Sequence, residues 1–135
     1  MTQNRLTQKF LEEFQNYDFS IIQEEKLFLV GSITKAKNYF PKIESILQIK
    51  YKKLVSICSI DGLLNKEQFS SDEWASLQDI ALRKLENQEA ILVLDIKEYI
   101  GKQTKEEISF FRDVLQKPIY FLSDLNNMKQ KKENE

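Results

Sequence analysis

The stretch Ala90-Ile91-Leu92-Val93-Leu94-Asp95-Ile96 decides how this chain folds. Five apolar residues run without interruption and stop at an aspartate. A strand that is apolar at every position is buried on both faces, as in a parallel sheet covered by helices. The same signature appears at Leu27-Phe28-Leu29-Val30, which ends abruptly at Gly31-Ser32-Ile33-Thr34. Leu54 to Ile60 reads as a further strand. Pro118 to Leu122 reads as the last, with proline at its first position, where no ladder bond is needed. The segments between them have helical period. Tyr39 to Lys50 places Phe40, Ile43, Ile46 and Leu47 on one face, and Pro41 suits a first helical turn. That leaves Ser32 to Asn38 as an exposed loop. Ser70 and Glu73 have capping-box spacing, and Trp74, Leu77, Ala81 and Leu85 form the expected buried stripe of the helix that follows. Thr104 to Gln116 is predicted helical, with Ile108, Phe111, Val114 and Leu115 inward. Thr7 to Tyr17 is an amphipathic helix through Leu6, Phe10 and Phe14, while Phe19 to Ile22 fits either an edge strand or a packed connector. Strands alternating with helices predict an α/β layer fold with a mainly parallel sheet and helices on both faces.

Composition narrows the chemistry. The chain has 135 residues, enough for one domain, expected over 1–125 with a polar, frayed tail at 126–135. Lys and Arg number 20 and Asp and Glu 21, a net charge of −1, which gives no global attraction to a nucleic-acid polymer. Histidine is absent, so triads and zinc sites built on it are excluded. The single cysteine, Cys58, excludes an intrachain disulfide and a cysteine metal cluster. It reads as a small buried hydrophobe. No metal and no cofactor is expected. Nothing resembles a targeting leader or a membrane span, so a cytoplasmic setting is expected.

Ligands of open α/β sheets bind at the carboxyl ends of the strands. That rule selects two loops, Gly31 to Asn38 and Asp95 to Thr104. In the first, Gly31-Ser32-Ile33-Thr34-Lys35 offers close backbone approach and several donors, suited to an anion. The spacing is not that of a P-loop, and on these residues alone a plain strand-to-helix turn is the preferred reading. In the second, Asp95 ends a strand, Tyr99 and Gly101 lie in the loop, and Glu107 falls in the first turn of the next helix. A carboxylate there serves as nucleophile or general base at a sugar centre. Thr104 and Glu107 also have capping-box spacing, so Glu107 reads alternatively as a helix cap. Asp61, after the second strand, is a candidate general acid or a turn residue beside Gly62.

The run Leu77 to Asp95, continuing through Tyr99-Ile100-Gly101 and Thr104-Lys105-Glu106-Glu107-Ile108 to Lys117-Pro118-Ile119-Tyr120-Phe121-Leu122, resembles the nucleoside 2-deoxyribosyltransferase-like family. That family includes deoxynucleoside 5′-monophosphate N-glycosidases. Gly31-Ser32-Ile33 and Asn38-Tyr39 resemble its first strand and nucleotide loop. The matching pieces span about 26–123, and the N-terminal helix lies outside them. The resemblance implies a three-layer α/β/α domain, flavodoxin-like or Rossmann-like. It implies Glu107 as nucleophile on C1′ of a deoxyribosyl group, Tyr99 orienting it, and Asp95 holding the sugar or assisting at the nucleophile. Gly31, Ser32 and Ile33 would lie against sugar or 5′-phosphate, and Gly101 and Thr104 would complete the substrate site. It further implies a homo-oligomer. The chain departs from the family at Ala81, where histidine is frequent, at Lys97 and Glu98, where small residues are usual, and at Gln103, where serine is frequent. Ala81 and Gln103 motivate a second reading, a non-catalytic nucleotide-binding module on the same fold. A third is a structural partner protein that docks through Phe10 and Phe14.

Overall fold

The computed structural model describes residues 5–57 and 66–126. Its frame is a four-stranded sheet, all parallel, in the order β2-β1-β3-β4. The strands are β1 (Lys26–Gly31), β2 (Leu54–Ile57), β3 (Ala90–Leu94) and β4 (Ile119–Phe121). β3 is buried at all five positions and β1 at Leu27 to Val30. The expected uninterrupted apolar strands are therefore the two central ones. The outer strands β2 and β4 are only partly covered.

Two cores flank the sheet, which makes the domain three-layered. On one face Leu27, Leu29, Leu92 and Leu94 meet helix α3 (Tyr39–Ile49) through Phe40, Ile43 and Leu47. On the other face Phe28, Val30, Ile91 and Val93 meet Leu85, Ile108 and Phe111. Leu85 belongs to helix α4 (Ser71–Glu86), and Ile108 to α5 (Lys102–Ser109). The alternation of neighbouring side chains between the two cores is the period of a strand.

The N-terminal helix α1 is shorter than its periodicity suggests, Gln8–Glu12, and is capped by Thr7. Turns follow it, yet Phe14 still reaches the core. Phe19–Ile21 is a 3₁₀ turn, which settles that segment as a packed connector. Ser32 to Asn38 is not wholly a loop, because Ile33–Ala36 forms a short helix α2 whose Ala36 is fully buried. The long helix expected over Thr104 to Gln116 divides. After α5 the chain widens into a π-helical segment, Phe110–Val114, in which the Leu115 amide reaches the Phe110 carbonyl. The wider turn leaves Val114 outside, 65% exposed, instead of inward.

The stripe expected in α4 is corrected most. Only Leu85 is buried; Trp74 and Ala81 are half-buried and Leu77 is exposed. The capping box is present as expected, with Ser70 accepting from the Glu73 amide and Glu73 accepting from the Ser70 amide. The cap thus starts the helix, but only its C-terminal part meets the core. Cys58, and the end of the second strand expected to Ile60, lie outside the described residues. Among those residues, no helix is long and apolar enough to cross a membrane.

Gly31 has a packing reason. It pairs with Leu94 across the central strands, and a Cβ there would lie 3.1 Å from the Leu94 carbonyl oxygen and 3.2 Å from its Cβ. Overpacking two fully buried strands costs about 1–3 kcal/mol. Gly31→Val is therefore expected to lower unfolding stability by that amount in urea titration. An unchanged midpoint would contradict this packing.

Candidate functional site

β1 leaves toward β2 on one side, and β3 lies on its other side. The carboxyl ends of β1 and β3 therefore flank the point where the strand order reverses, the place where open α/β sheets hold ligands. Gly31, Ser32 and Asp95 emerge there.

The two selected loops do meet. A Cβ on Gly101 would be 3.9 Å from Ser32 Cβ and 4.0 Å from Tyr99 Cε1. Ser32 Oγ lies 2.9 Å from Thr34 Oγ1, and the Lys35 ammonium sits 5.8 Å from the centre of the Tyr99 ring. Hydroxyls, an ammonium and a half-exposed phenol thus share one rim. Ile33 begins α2 behind them. The loop between is bent sharply. Lys97 and Glu98 both have left-handed backbone, with φ of 54° and 61°. That is costly for residues with a side chain and concentrates at functional sites.

Asp95 is 7% exposed and tightly held. One oxygen accepts from the Ser123 amide at 2.9 Å and the other from the Ser123 hydroxyl at 2.6 Å. Ser123 follows β4, so it sits at the next carboxyl end along the sheet. Sequence reasoning passed over it, although the same strand-end rule points there. Tyr17 was also missed. Its phenol bonds the Asn126 side chain, feels the Asp95 and Tyr39 charges, and is raised above the ordinary tyrosine range chiefly by burial. Tyr17 and Asn126 are joined by an isolated antiparallel bridge, which ties the N-terminal segment to the first residue of the expected tail. No local spacing signals that contact.

Glu107 is placed differently from expectation. The helix begins at Lys102, with Gly101 as its N-cap and no side-chain cap bond. Thr104 is thus inside the first turn and buried, and Glu107 lies in the second turn. The capping-box reading of Thr104 and Glu107 is overturned, and with it most of the help that a helix N-terminus gives an anion. Glu107 instead lines a cleft of about 180 Å³ between α4 and α5, with Gln78, Ala81, Leu82, Glu106 and Phe110. It is 8% exposed. Burial, and secondarily the charge of Glu106, push its carboxyl from 4.5 up to about 7. Among the described residues it meets no cation and no hydrogen-bond donor. No hydrogen bond or ion pair joins it to Asp95 or Tyr99.

The structure therefore brings together Gly31, Ser32, Tyr99 and Gly101 at one rim, with Asp95 fixed behind it. It sets Glu107 on the α4 side of the sheet. Asp61 lies outside the described residues. Among those residues, no group of three metal-ligating side chains comes together. Comparison with family models, with curated proteins and with solved structures finds no match for this chain.

The environment of Glu107 has a measurable consequence. The folded chain favours its protonated form, so its contribution to stability is fully present below the ordinary glutamate range. It is lost as pH rises through about 7. Glu107→Gln keeps the shape without the charge. It is expected to change stability little at pH 5 and to raise it by up to about 3 kcal/mol at pH 9. Thermal unfolding of both chains across that range checks it; equal stability gains at both ends would refute the burial of a titrating carboxyl.

Proposed function

We propose that the protein is an N-glycosidase or 2-deoxyribosyltransferase that acts on a deoxynucleoside or its 5′-monophosphate. The observation that carries this reading is Glu107: a nearly buried carboxyl in a cleft, bound to no cap and no cation among the described residues. A carboxyl with apolar walls and a raised pKa is suited to covalent or proton-transfer work rather than to structure. The Glu107 carboxylate attacks C1′, the glycosidic bond breaks with its electrons leaving on the base, and a glycosyl ester forms. Water or a second base then takes the sugar from Glu107. Asp95, oriented by Ser123, accepts from a sugar hydroxyl. Ser32, Thr34 and Lys35 offer donors to a 5′-phosphate or the sugar, and Tyr99 and Gly101 close that rim. Thr104 and Ile33 support it from the two helix starts.

A second reading keeps the ligand and drops the chemistry: a nucleotide-binding module. It is favoured by the absence of any bond linking Glu107 to Asp95 or Tyr99, and by Ala81 at the wall of the cleft.

Release of free base from the four deoxynucleosides and their monophosphates decides between them. On the glycosidase reading, Glu107→Ala lowers turnover by at least about 10³-fold. Nucleotide binding by calorimetry without base release supports the module, and neither signal rejects both readings. The pH profile is a separate check. A nucleophile must be ionised, so kcat/KM is expected to rise with a midpoint near 7, where Glu107 titrates. A rate that falls through that range would assign Glu107 as general acid instead.

A further inference from the structure

We propose that two copies of this chain pair through α4, with the two helices antiparallel across a two-fold axis. Six residues carry the inference: Ser70, Glu73, Leu77, Ile80, Lys84 and Asn87. They are spaced alternately by three and four, which places them in one stripe along the helix with the heptad period of a helix–helix seam. All six are exposed, and the two apolar ones are bare, Leu77 at 37% and Ile80 at 44%. The side of α4 that meets the core is a different one, marked by Leu82 and Leu85.

The stripe complements itself when reversed. A two-fold axis between Leu77 and Ile80 sets Leu77 against the partner's Ile80, and Ile80 against the partner's Leu77. The same axis sets Glu73 against the partner's Lys84, and Ser70 against the partner's Asn87. An isologous contact requires such self-complementarity. Parallel pairing would instead oppose glutamate to glutamate and lysine to lysine, which is repulsive. Glu73 spends one carboxylate oxygen on the Ser70 amide, at 2.8 Å, and keeps the other. Asp79 and Arg83 pair with each other at 3.0 Å and leave the seam to Glu73 and Lys84. An unrelated apolar partner would have no need of a charge pattern that complements its own reverse. Ala81, beside the stripe, also lines the Glu107 cleft, so the partner helix runs along the rim of that cleft.

This deepens the homo-oligomer implied by the family resemblance and is independent of the chemistry at Glu107. Association is read without substrate, so pairing and base release succeed or fail separately. Sedimentation of the full chain over a concentration series is expected to show a monomer–dimer equilibrium. Leu77→Glu and Ile80→Glu are each expected to leave a folded monomer, because both positions are exposed in the single chain. Lys84→Glu, which faces the partner's Glu73, is expected to weaken association by about tenfold, and the double variant Glu73→Lys/Lys84→Glu to restore it. Circular dichroism confirms that each variant is folded at the temperature of measurement. A wild-type chain that stays monomeric throughout would overturn the proposal. So would a dimer that survives Leu77→Glu, or a charge exchange that restores nothing.

Discussion

The pairing of β1 with β3 is the constraint on which the remaining architecture hangs. Both strands are buried on both faces, and five residue pairs join them, from Leu27 with Ala90 to Gly31 with Leu94. A side chain at one position faces the α3 core and its neighbour faces the α5 core, so this one ladder sets the composition of both. It also sets where polarity can begin. Inside the ladder no side chain can reach water, and the first residues beyond it, Ser32 and Asp95, come out side by side at the reversal of strand order. Gly31 is the last residue under this constraint. Its lack of a side chain is explained by the Leu94 carbonyl without any ligand.

The fold was legible because burial on both faces leaves a mark that needs no partner to be read. Leu27 to Val30 and Ala90 to Leu94 are apolar whatever they pair with. The same logic fails for α4. Trp74, Leu77, Ala81 and Leu85 share a helical stripe, but a stripe only states that something covers it. Of that stripe the single chain buries only Leu85. Helix starts show the limit of spacing in another way. Ser70–Glu73 and Thr104–Glu107 have the same three-residue separation, and only the first is a cap. Gly101 already holds the extended N-cap conformation, so α5 starts three residues before Thr104 can act. The Ser123 clamp on Asp95 joins residues 28 apart in sequence, and Tyr17 meets Asn126 from the opposite end of the chain. Contacts of that kind leave no local pattern.

The two carboxyl groups singled out by their positions occupy opposite environments. Asp95 is surrounded by donors and cannot turn without breaking two hydrogen bonds to Ser123. Glu107 lies among Gln78, Leu82, Phe110 and the like charge of Glu106, and its burial and that charge disfavour the ionised form. Divergent surroundings are the usual means of giving two carboxyls different tasks. Here they make Asp95 a fixed acceptor and Glu107 the group whose charge is conditional. A cationic or electron-poor centre in the cleft would favour the ionised form of Glu107. On the proposed glycosidase reading, an oxocarbenium-like sugar would be such a centre.

Helix α4 is where the proposed chemistry and the proposed assembly would meet. It supplies one wall of the Glu107 cleft through Gln78, Ala81 and Leu82 while resting on the core mainly through Leu85. The desolvation of Glu107 depends on where that wall stands. A second α4 along Leu77 and Ile80 would bury what the first chain leaves bare. Pairing would then do more than join two copies. It would fix the width of the cleft, and with it the burial that raises the Glu107 carboxyl to about 7.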